Sequence, residues 1–357
     1  MESVFKNKRV FITGHTGFKG SWLLQILHLY GAHVKGYALS PQSEEKSLYT
    51  QINGNELCVT AVNGDILDEK LLKSELVEFQ PDYVFHLAAQ AVVKASYQNP
   101  VDTFAINVMG TVNVLEAIRC LEKACICIMV TTDKVYENNE SAIAFREDDK
   151  LGGHDPYSAS KGAADIAISS YRSSFFHPDK YNQHHKAIAT VRAGNVIGGG
   201  DYSHDRIIAD IVRSIQRDEP VILRNPTSVR PWQHVLESLF AYLSLAMKMT
   251  QAPQKYNTSF NIGPNSDDVL DVETITKKFI QYYGKGLYKT VCEAPHKKFH
   301  EAQTLLLNSS KIYELIGWKP KLNVDEAVRM TAEWYSNEKF SAREKCRQQI
   351  LNYRSRE

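Results

Sequence analysis

Across its first two hundred residues the chain alternates short apolar runs with longer stretches in which apolar positions recur every three or four residues. Runs at 8–13 (KRVFIT), 33–39, 57–62, 82–87, 124–130 and 187–191 are short and bounded by polar or glycine residues. Such runs are the signature of strands buried on both faces of a parallel sheet. Helical spacing separates them at 21–30, 71–79, 100–121 and beyond Pro156. In 100–121, Phe104, Val108, Val112, Leu115 and Ile118 mark one buried face. Strand and helix in alternation predict a parallel sheet wound by right-handed crossovers, a Rossmann-type doubly wound α/β fold. Past residue 195 the alternation loosens into an apolar helix to about Met249, a strand at 256–262 and helices near 272–283, 309–316 and 324–338. We therefore expect a Rossmann domain over 1–195 and a smaller mixed α/β lobe over 196–357, with some of the later chain crossing back.

The composition of the 357 residues, 43% hydrophobic and 23% charged with a net charge of +1, is that of an ordinary soluble globular protein. No Lys/Arg block argues for nucleic acid. No apolar stretch reaches roughly 18 residues, so no membrane span is expected, and the polar, basic Met1 to Arg9 carries no apolar signal region. A cytoplasmic location is the expectation. The six cysteines form no CxxC pair; Cys125 and Cys127, two apart on a strand, share a face as core residues do, and no metal site is expected.

After the first strand comes Gly14-His15-Thr16-Gly17-Phe18-Lys19-Gly20, a GxxGxxG turn opening a helix. Glycines there allow a tight turn and let backbone amides approach a pyrophosphate at a helix N-terminus, which predicts a dinucleotide site. The second strand ends in Ala38-Leu39-Ser40-Pro41, without the acid or arginine that separates NAD from NADP. Lys19, and after it His15, are the candidates for charge near the adenosine ribose. Asp65, in Asn63-Gly64-Asp65-Ile66, either accepts from the adenine amino group or caps a helix. Leu87-Ala88-Ala89-Gln90 at the tip of the fourth strand is small enough for close approach to a cofactor. Asn107 is either a satisfied core asparagine or a helix-bending residue near the site.

The 124–130 run leads into Thr131-Thr132-Asp133-Lys134, at the strand's carboxyl end, where open α/β sheets bind ligands. Pro156-Tyr157-Ser158-Ala159-Ser160-Lys161 opens a helix that Asp155 or Ser158 can cap. Tyr157 and Lys161, four apart, share a face, so the ammonium can favour the phenolate and make the tyrosine an acid or base near neutral pH. Further on, Gly198-Gly199-Gly200 predicts a loop folded closely over a substrate. Arg206, Arg224 and Arg230 predict a diphosphate clamp, since the guanidinium fork suits phosphate oxygens.

These strings together resemble the extended short-chain dehydrogenase/reductase family over nearly the whole chain. Gly14, Gly17 and Gly20 with Tyr157-xxx-Lys161 carry that resemblance. Within the family, five rarer strings are similar to the group of CDP-glucose 4,6-dehydratases: GHTGFKGSW from Gly14, Thr132-Asp133-Lys134, RAGNVIGGGD from Arg192, RPWQHVLE from Arg230, and His300-Glu301-Ala302. The dTDP-glucose relatives have Glu where this chain has Lys134; Ser238 and Asn308 depart from a usual Pro and a frequent Asp. The resemblance implies NAD, held by residues 14–20, Asp65, Ile66, Leu87, Ala88, Ala89, Asn107, Tyr157 and Lys161. It implies a CDP-glucose substrate touching Gln90, Asn195, Arg206, Arg224, Arg230, His300 and Glu301. The implied catalytic residues are Thr132, Asp133, Lys134, Tyr157 and Lys161. A homodimer, or a tetramer built from it, and a role in deoxysugar biosynthesis such as that of lipopolysaccharide O-antigen are implied as well.

Overall fold

The computed structural model describes residues 1–41, 46–138, 143–265, 268–291 and 304–356. Seven strands form one sheet: β1 (Arg9–Thr13), β2 (His33–Ala38), β3 (Thr60–Asn63), β4 (Tyr83–His86), β5 (Cys125–Val130), β6 (Lys186–Ala193) and β7 (Ser259–Ile262). Their order is β7-β6-β5-β4-β1-β2-β3, parallel throughout, so the direction of winding reverses between β1 and β4. At that switch point a crevice opens at the strands' carboxyl ends, the place where such sheets bind ligands. β5 (CICIMV) is apolar along its whole length because helices cover both of its faces. Cys125 and Cys127 point to one side, with sulfurs 3.7 Å apart inside the core.

On one face pack α1 (Phe18–Leu29), which follows the Gly-rich turn, and α6 (Val235–Gln251); on the other lie α2 (Glu69–Phe79), α3 (Gly110–Arg119) and α4 (Pro156–Ser174). Eight consecutive residues of α1, Gly20 to Leu27, are buried, because the helix is sandwiched between the sheet and the C-terminal helices. Trp22 Nε1 donates to Gly199 O at 2.9 Å and Gln25 Nε2 to Arg343 O at 2.6 Å. A third core joins α5 (Ile207–Gln216), α7 (Val272–Tyr283) and α9 (Val324–Ser336) in the smaller lobe. Between α7 and α9 comes α8 (Ser310–Ile316), and α10 (Ala342–Arg354) ends the described chain.

Several elements depart from the sequence pattern. The third strand begins only at Thr60, because 54–57 turn into a helical segment capped by Asn53 in the left-handed region. The helix expected over 100–121 is three pieces: Pro100–Phe104, a π turn at Ala105–Met109, and α3. Together, 100–119 are long and apolar enough to span a bilayer by composition. Asp102, Asn107, Asn113 and Glu116 interrupt that apolarity, and the buried side of α3 packs in the core with α2. Among the longer helices, α5 and α10 lie outside the expected set. α10 (AREKCRQQILNYR) is mostly polar and charged, and its capping box of Ser341 and Glu344 is the signal its sequence offers.

His86, on β4, shares a hydrogen bond with Thr13 of β1 (2.7 Å) and one with Thr111 of α3 (3.1 Å). Burial pushes its pKa down to about 3, and that of His15 to about 4. A histidine depressed in the fold stabilises above its unfolded value of 6.5 and loses that contribution as pH falls. The melting temperature is therefore expected to drop as pH goes from 6.5 to 4, and less steeply in His86→Asn. Glu237 of α6 carries the opposite sign. Its Oε1 accepts from the amides of Lys321 (2.9 Å) and Leu322 (2.7 Å), its Oε2 from the Tyr353 hydroxyl (2.7 Å), docking α10 and the loop before α9. Burial pushes its carboxyl up to about 7, against the pull of these donors. A raised carboxyl stabilises fully below its unfolded value of 4.5 and loses that contribution as pH rises through 7. The melting temperature of Glu237→Gln relative to wild type should climb between pH 4.5 and 7 and level off above; a difference independent of pH would refute this account.

Candidate active site

The Gly-rich turn is built on contacts that a side chain would block. Gly14 has φ +76°, and a Cβ on it would lie 2.7 Å from the Ala88 nitrogen at the tip of β4. A Cβ on Gly20 would lie 2.1 Å from the Gly14 carbonyl. The turn therefore sits against both the next strand of the crevice and the first turn of α1, whose amides face the opening. Thr16 Oγ1 donates to Leu39 O (2.9 Å) and ties the turn to the end of β2. Phe18 packs partly buried beside Gly198.

His15 differs from expectation. Its ring is buried against Gly36 and edge-on to Tyr49, 5.1 Å between centroids, and burial keeps it neutral, so it supplies no charge to a ribose. Lys19 differs too. Its ammonium donates to the Tyr242 hydroxyl of α6 (3.3 Å), and burial, then the charge of Arg206, lower it to about 7, with Asp133 opposing. It belongs electrostatically with the catalytic end of the crevice and not with the end of β2. Asp65 caps no helix: its Oδ1 accepts from Leu67 N (2.9 Å), while Asp68 caps α2. Ile66 is buried against Gly110.

Asn107 resolves both of its readings at once. It sits in the π turn, and its Nδ2 donates to Ser160 Oγ of α4 (2.8 Å) and to Gln90 O (3.0 Å), while its Oδ1 accepts from Gln90 N (2.9 Å). The widened turn thereby braces the β4 tip, Leu87 to Gln90, against the helix that carries the tyrosine. Gln90 is internally satisfied: its Nε2 donates to Thr103 and its Oε1 accepts from Val92 N.

The carboxyl end of β5 turns into a 3-10 turn at Asp133–Val135, and α4 begins at Pro156 with Asp155 as its cap. Tyr157 is buried beneath the rim, its amide donating to Ser96 Oγ (3.1 Å). Burial raises the phenol, opposed by its hydrogen-bond contact with the Thr132 hydroxyl and by the charge of Arg206. Arg206 is the leading cation acting on it. Lys161 Nζ donates to Val130 O (3.0 Å), and burial lowers this ammonium to about 8. Thr132 Oγ1 donates its one proton to Asp133 Oδ1 (2.9 Å). The second oxygen of Asp133 is buried without a hydrogen-bond partner, beside Gly194 and Pro231. Burial raises the Asp133 carboxyl, opposed first by Lys134 and also by Arg230 and Lys19. Lys134 is half-buried at the rim.

The three arginines separate. Arg206 and Arg230 act on Tyr157 and Asp133 respectively, whereas Arg224 is exposed and pairs with Asp205 (3.4 Å). Asn195 is half-buried and its carbonyl accepts from Gln233 N (2.9 Å). The three successive glycines serve the protein's own packing and not a loop over substrate: a Cβ on Gly199 would lie 2.0 Å from the Trp334 ring. His300 and Glu301 lie outside the described residues, as does Cys292. Among the described residues no cluster of His, Cys, Asp and Glu is arranged to hold a metal ion.

Residues 11–331 match the model of the family described as GDP-mannose 4,6 dehydratase. The chain is 42% identical over 334 residues to the CDP-glucose 4,6-dehydratase of Salmonella typhimurium, covering 94% of this chain and 92% of that one. Two solved structures share its fold. The dTDP-glucose 4,6-dehydratase of Bacillus anthracis in complex with NAD has a TM-score of 0.76 at 20% identity, covering 93% of this chain and 97% of that one. The UDP-glucose 4-epimerase of Thermus thermophilus in complex with NAD has a TM-score of 0.76 at 23% identity, covering 92% and 99%. With its doubly wound sheet, its Gly14–Gly20 turn and the Tyr157/Lys161 pair matched across nearly the full length, the chain belongs to the GDP-mannose 4,6 dehydratase family.

Proposed function

We propose that this chain is an NAD-dependent CDP-glucose 4,6-dehydratase, a hydro-lyase that converts CDP-glucose to CDP-4-keto-6-deoxyglucose and water. Its 42% identity to a CDP-glucose 4,6-dehydratase over 94% of the chain is the observation that carries the reading. The residues fit the cofactor. Gly14 and Gly20 leave a cradle that a Cβ would fill, at the N-terminus of a 12-residue helix. The turn 14–20, Asp65, Ile66, the β4 tip, Asn107, Tyr157 and Lys161 would hold it, and NAD bound there would accept a hydride from C4 and return it to C6.

In this reading the chain's own residues move the protons. Tyr157 takes the proton of the 4-hydroxyl, with Thr132 donating a hydrogen bond at the same oxygen and the charges of Arg206 and Lys161 favouring the phenolate. The resulting ketone makes the C5 hydrogen acidic. Lys134 removes that proton and later returns it to C5, while Asp133 donates a proton to the departing 6-hydroxyl, which leaves as water. The buried, unpartnered Oδ2 of Asp133 and the upward push of burial on this carboxyl support a protonated acid. Arg230, buried near Asp133, and Arg206 are placed in the nucleotide-sugar path; Asn195 and Gln90 line it, and Arg224 is placed at its outer end.

The proposal includes a cofactor domain over 1–195 and a substrate lobe over 196–357 whose strand β7 returns to the sheet. It includes a homodimer as well: Val101, Phe104 and Met109 before α3 and Ile166 on α4 expose apolar side chains on neighbouring helices, a surface suited to a second copy. We place the enzyme in the cytoplasm, supplying deoxysugars.

Incubation with CDP-glucose, and separately with dTDP-, UDP- and GDP-linked sugars, with and without NAD, is expected to give loss of one water from CDP-glucose by mass spectrometry. An isomer of unchanged mass would make the protein an epimerase. Asp133→Asn and Lys134→Ala are each expected to spare C4 oxidation and to slow elimination by about 10²- to 10⁴-fold. Water loss at the wild-type rate in either variant would refute that residue's role.

A further inference from the structure

Lysine and aspartate four residues apart on a helix normally reach each other and form an ion pair. Lys161 and Asp165 have that spacing on α4, yet they are not paired. The ammonium of Lys161 donates to the Val130 carbonyl at 3.0 Å. The carboxylate of Asp165 is engaged from the other side. Its Oδ2 accepts from Arg192 Nε at 2.8 Å and from Thr131 Oγ1 at 3.0 Å, and its Oδ1 accepts from Arg192 Nη2 at 2.9 Å.

Arg192, on β6, is itself fixed. Its Nη1 donates to the Tyr136 hydroxyl (2.8 Å) and to Glu147 O (3.0 Å), and its guanidinium lies 5.0 Å from the centre of the Tyr136 ring. The Tyr136 hydroxyl in turn donates to Asn261 Oδ1 of β7 at 2.6 Å. Asp165 is 1% exposed and Arg192 3%, so neither has access to water as an alternative partner. A parallel two-point guanidinium–carboxylate fork is the geometry that a lysine cannot imitate.

We propose that Arg192 is a positioning residue: by clamping Asp165 in a two-point ion pair it prevents the aspartate from capturing Lys161 and keeps that lysine turned toward the reacting end of the crevice. Other groups facing Lys161 offer it no competing anion. Tyr157 on its own helix is a phenol, His86 from β4 is neutral through burial, and Lys19 from α1 repels it. Asp165 is the anion that acts on its charge. Without the guanidinium, a buried carboxylate stands uncompensated one helical turn away; Arg172, the other cation that faces Asp165, is held by Ile188 O (3.0 Å) and Thr190 Oγ1 (2.6 Å), which leaves Lys161 to reach it.

The inference rests on the reading that Tyr157 and Lys161 carry C4 oxidation, and its test has one arm that does not. A crystal structure of Arg192→Met should show Lys161 Nζ moved from Val130 O to within about 3 Å of the Asp165 carboxylate. In single turnovers with CDP-glucose, Arg192→Met should slow C4 oxidation by about 10- to 100-fold and displace its pH profile upward. The double variant Arg192→Met/Asp165→Asn removes clamp and trap together and should recover a rate within about threefold of wild type and a wild-type profile. Where Arg192→Met does not fold, Arg192→Gln carries the same expectations. A Lys161 still on Val130 O in the single variant overturns the clamp, as does a double variant as slow as the single one. A wild-type protein inactive on every nucleotide sugar would sink the activity alone, leaving the crystallographic arm to decide the clamp.

Discussion

The approach of the Gly-rich turn to its neighbours is the constraint on which the crevice depends. Gly14 touches the β4 tip and Gly20 touches Gly14 at distances where no Cβ fits. These two contacts set how closely α1 lies on the sheet and bring the chain leaving β1 against the tip of β4, to which β1 stays paired as far as Thr13 and His86. The effect propagates outward. With α1 held close, Trp22 reaches the Gly199 carbonyl and the glycine loop is threaded between Trp22 and Trp334, so the second lobe is positioned from the cofactor side of the first. A single steric condition near the start of the chain thus governs where Asn195, Arg206 and Arg230 arrive, nearly two hundred residues later.

Burial then sets the electrostatics. Lys19, Asp133, Tyr157 and Lys161 come from three separate elements, and desolvation is the largest influence on each, driving every one of them toward its neutral form. For proton transfer this is useful on the acid side: dehydration of a sugar needs a donor that keeps its proton until the leaving group takes it, and the dry rim favours that form of Asp133.

Much of this is legible in the sequence, for identifiable reasons. Strands buried on both faces write themselves as apolar runs, and Tyr157 and Lys161 share a face because helical spacing is fixed, so the sheet and the helix that carries this pair can be read directly. What sequence reasoning misses depends on contacts between distant segments. The neutrality of His15 comes from Gly36 and Tyr49, the placement of Lys19 from Tyr242, and the role of Gly198 to Gly200 from Trp334. α10 escapes notice because its apolar stripe is thin, Ala342, Cys346, Ile350 and Tyr353 in an otherwise polar and charged helix, and is completed only by packing on the core beside Glu237 and α1. The diphosphate clamp reads as three arginines because spacing cannot show that Asp205 holds Arg224 apart.

A division among the buried ionisable groups follows from the same physics. Two of the buried carboxylates are fully paired: Asp165 accepts three hydrogen bonds from Arg192 and Thr131, and Glu237 accepts three from Lys321, Leu322 and Tyr353. Asp133, equally buried, keeps one oxygen unpartnered. Burial without a protein donor on that oxygen disfavours its ionised form and pushes the carboxyl up. Full pairing fixes a proton in place, whereas a bare oxygen at a rim is free to give one to a ligand. The contrast between Asp165 and Asp133, two aspartates that both lie by the carboxyl end of β5, is therefore one of pairing: donors occupy both oxygens of the first, while the second keeps an oxygen available to a ligand.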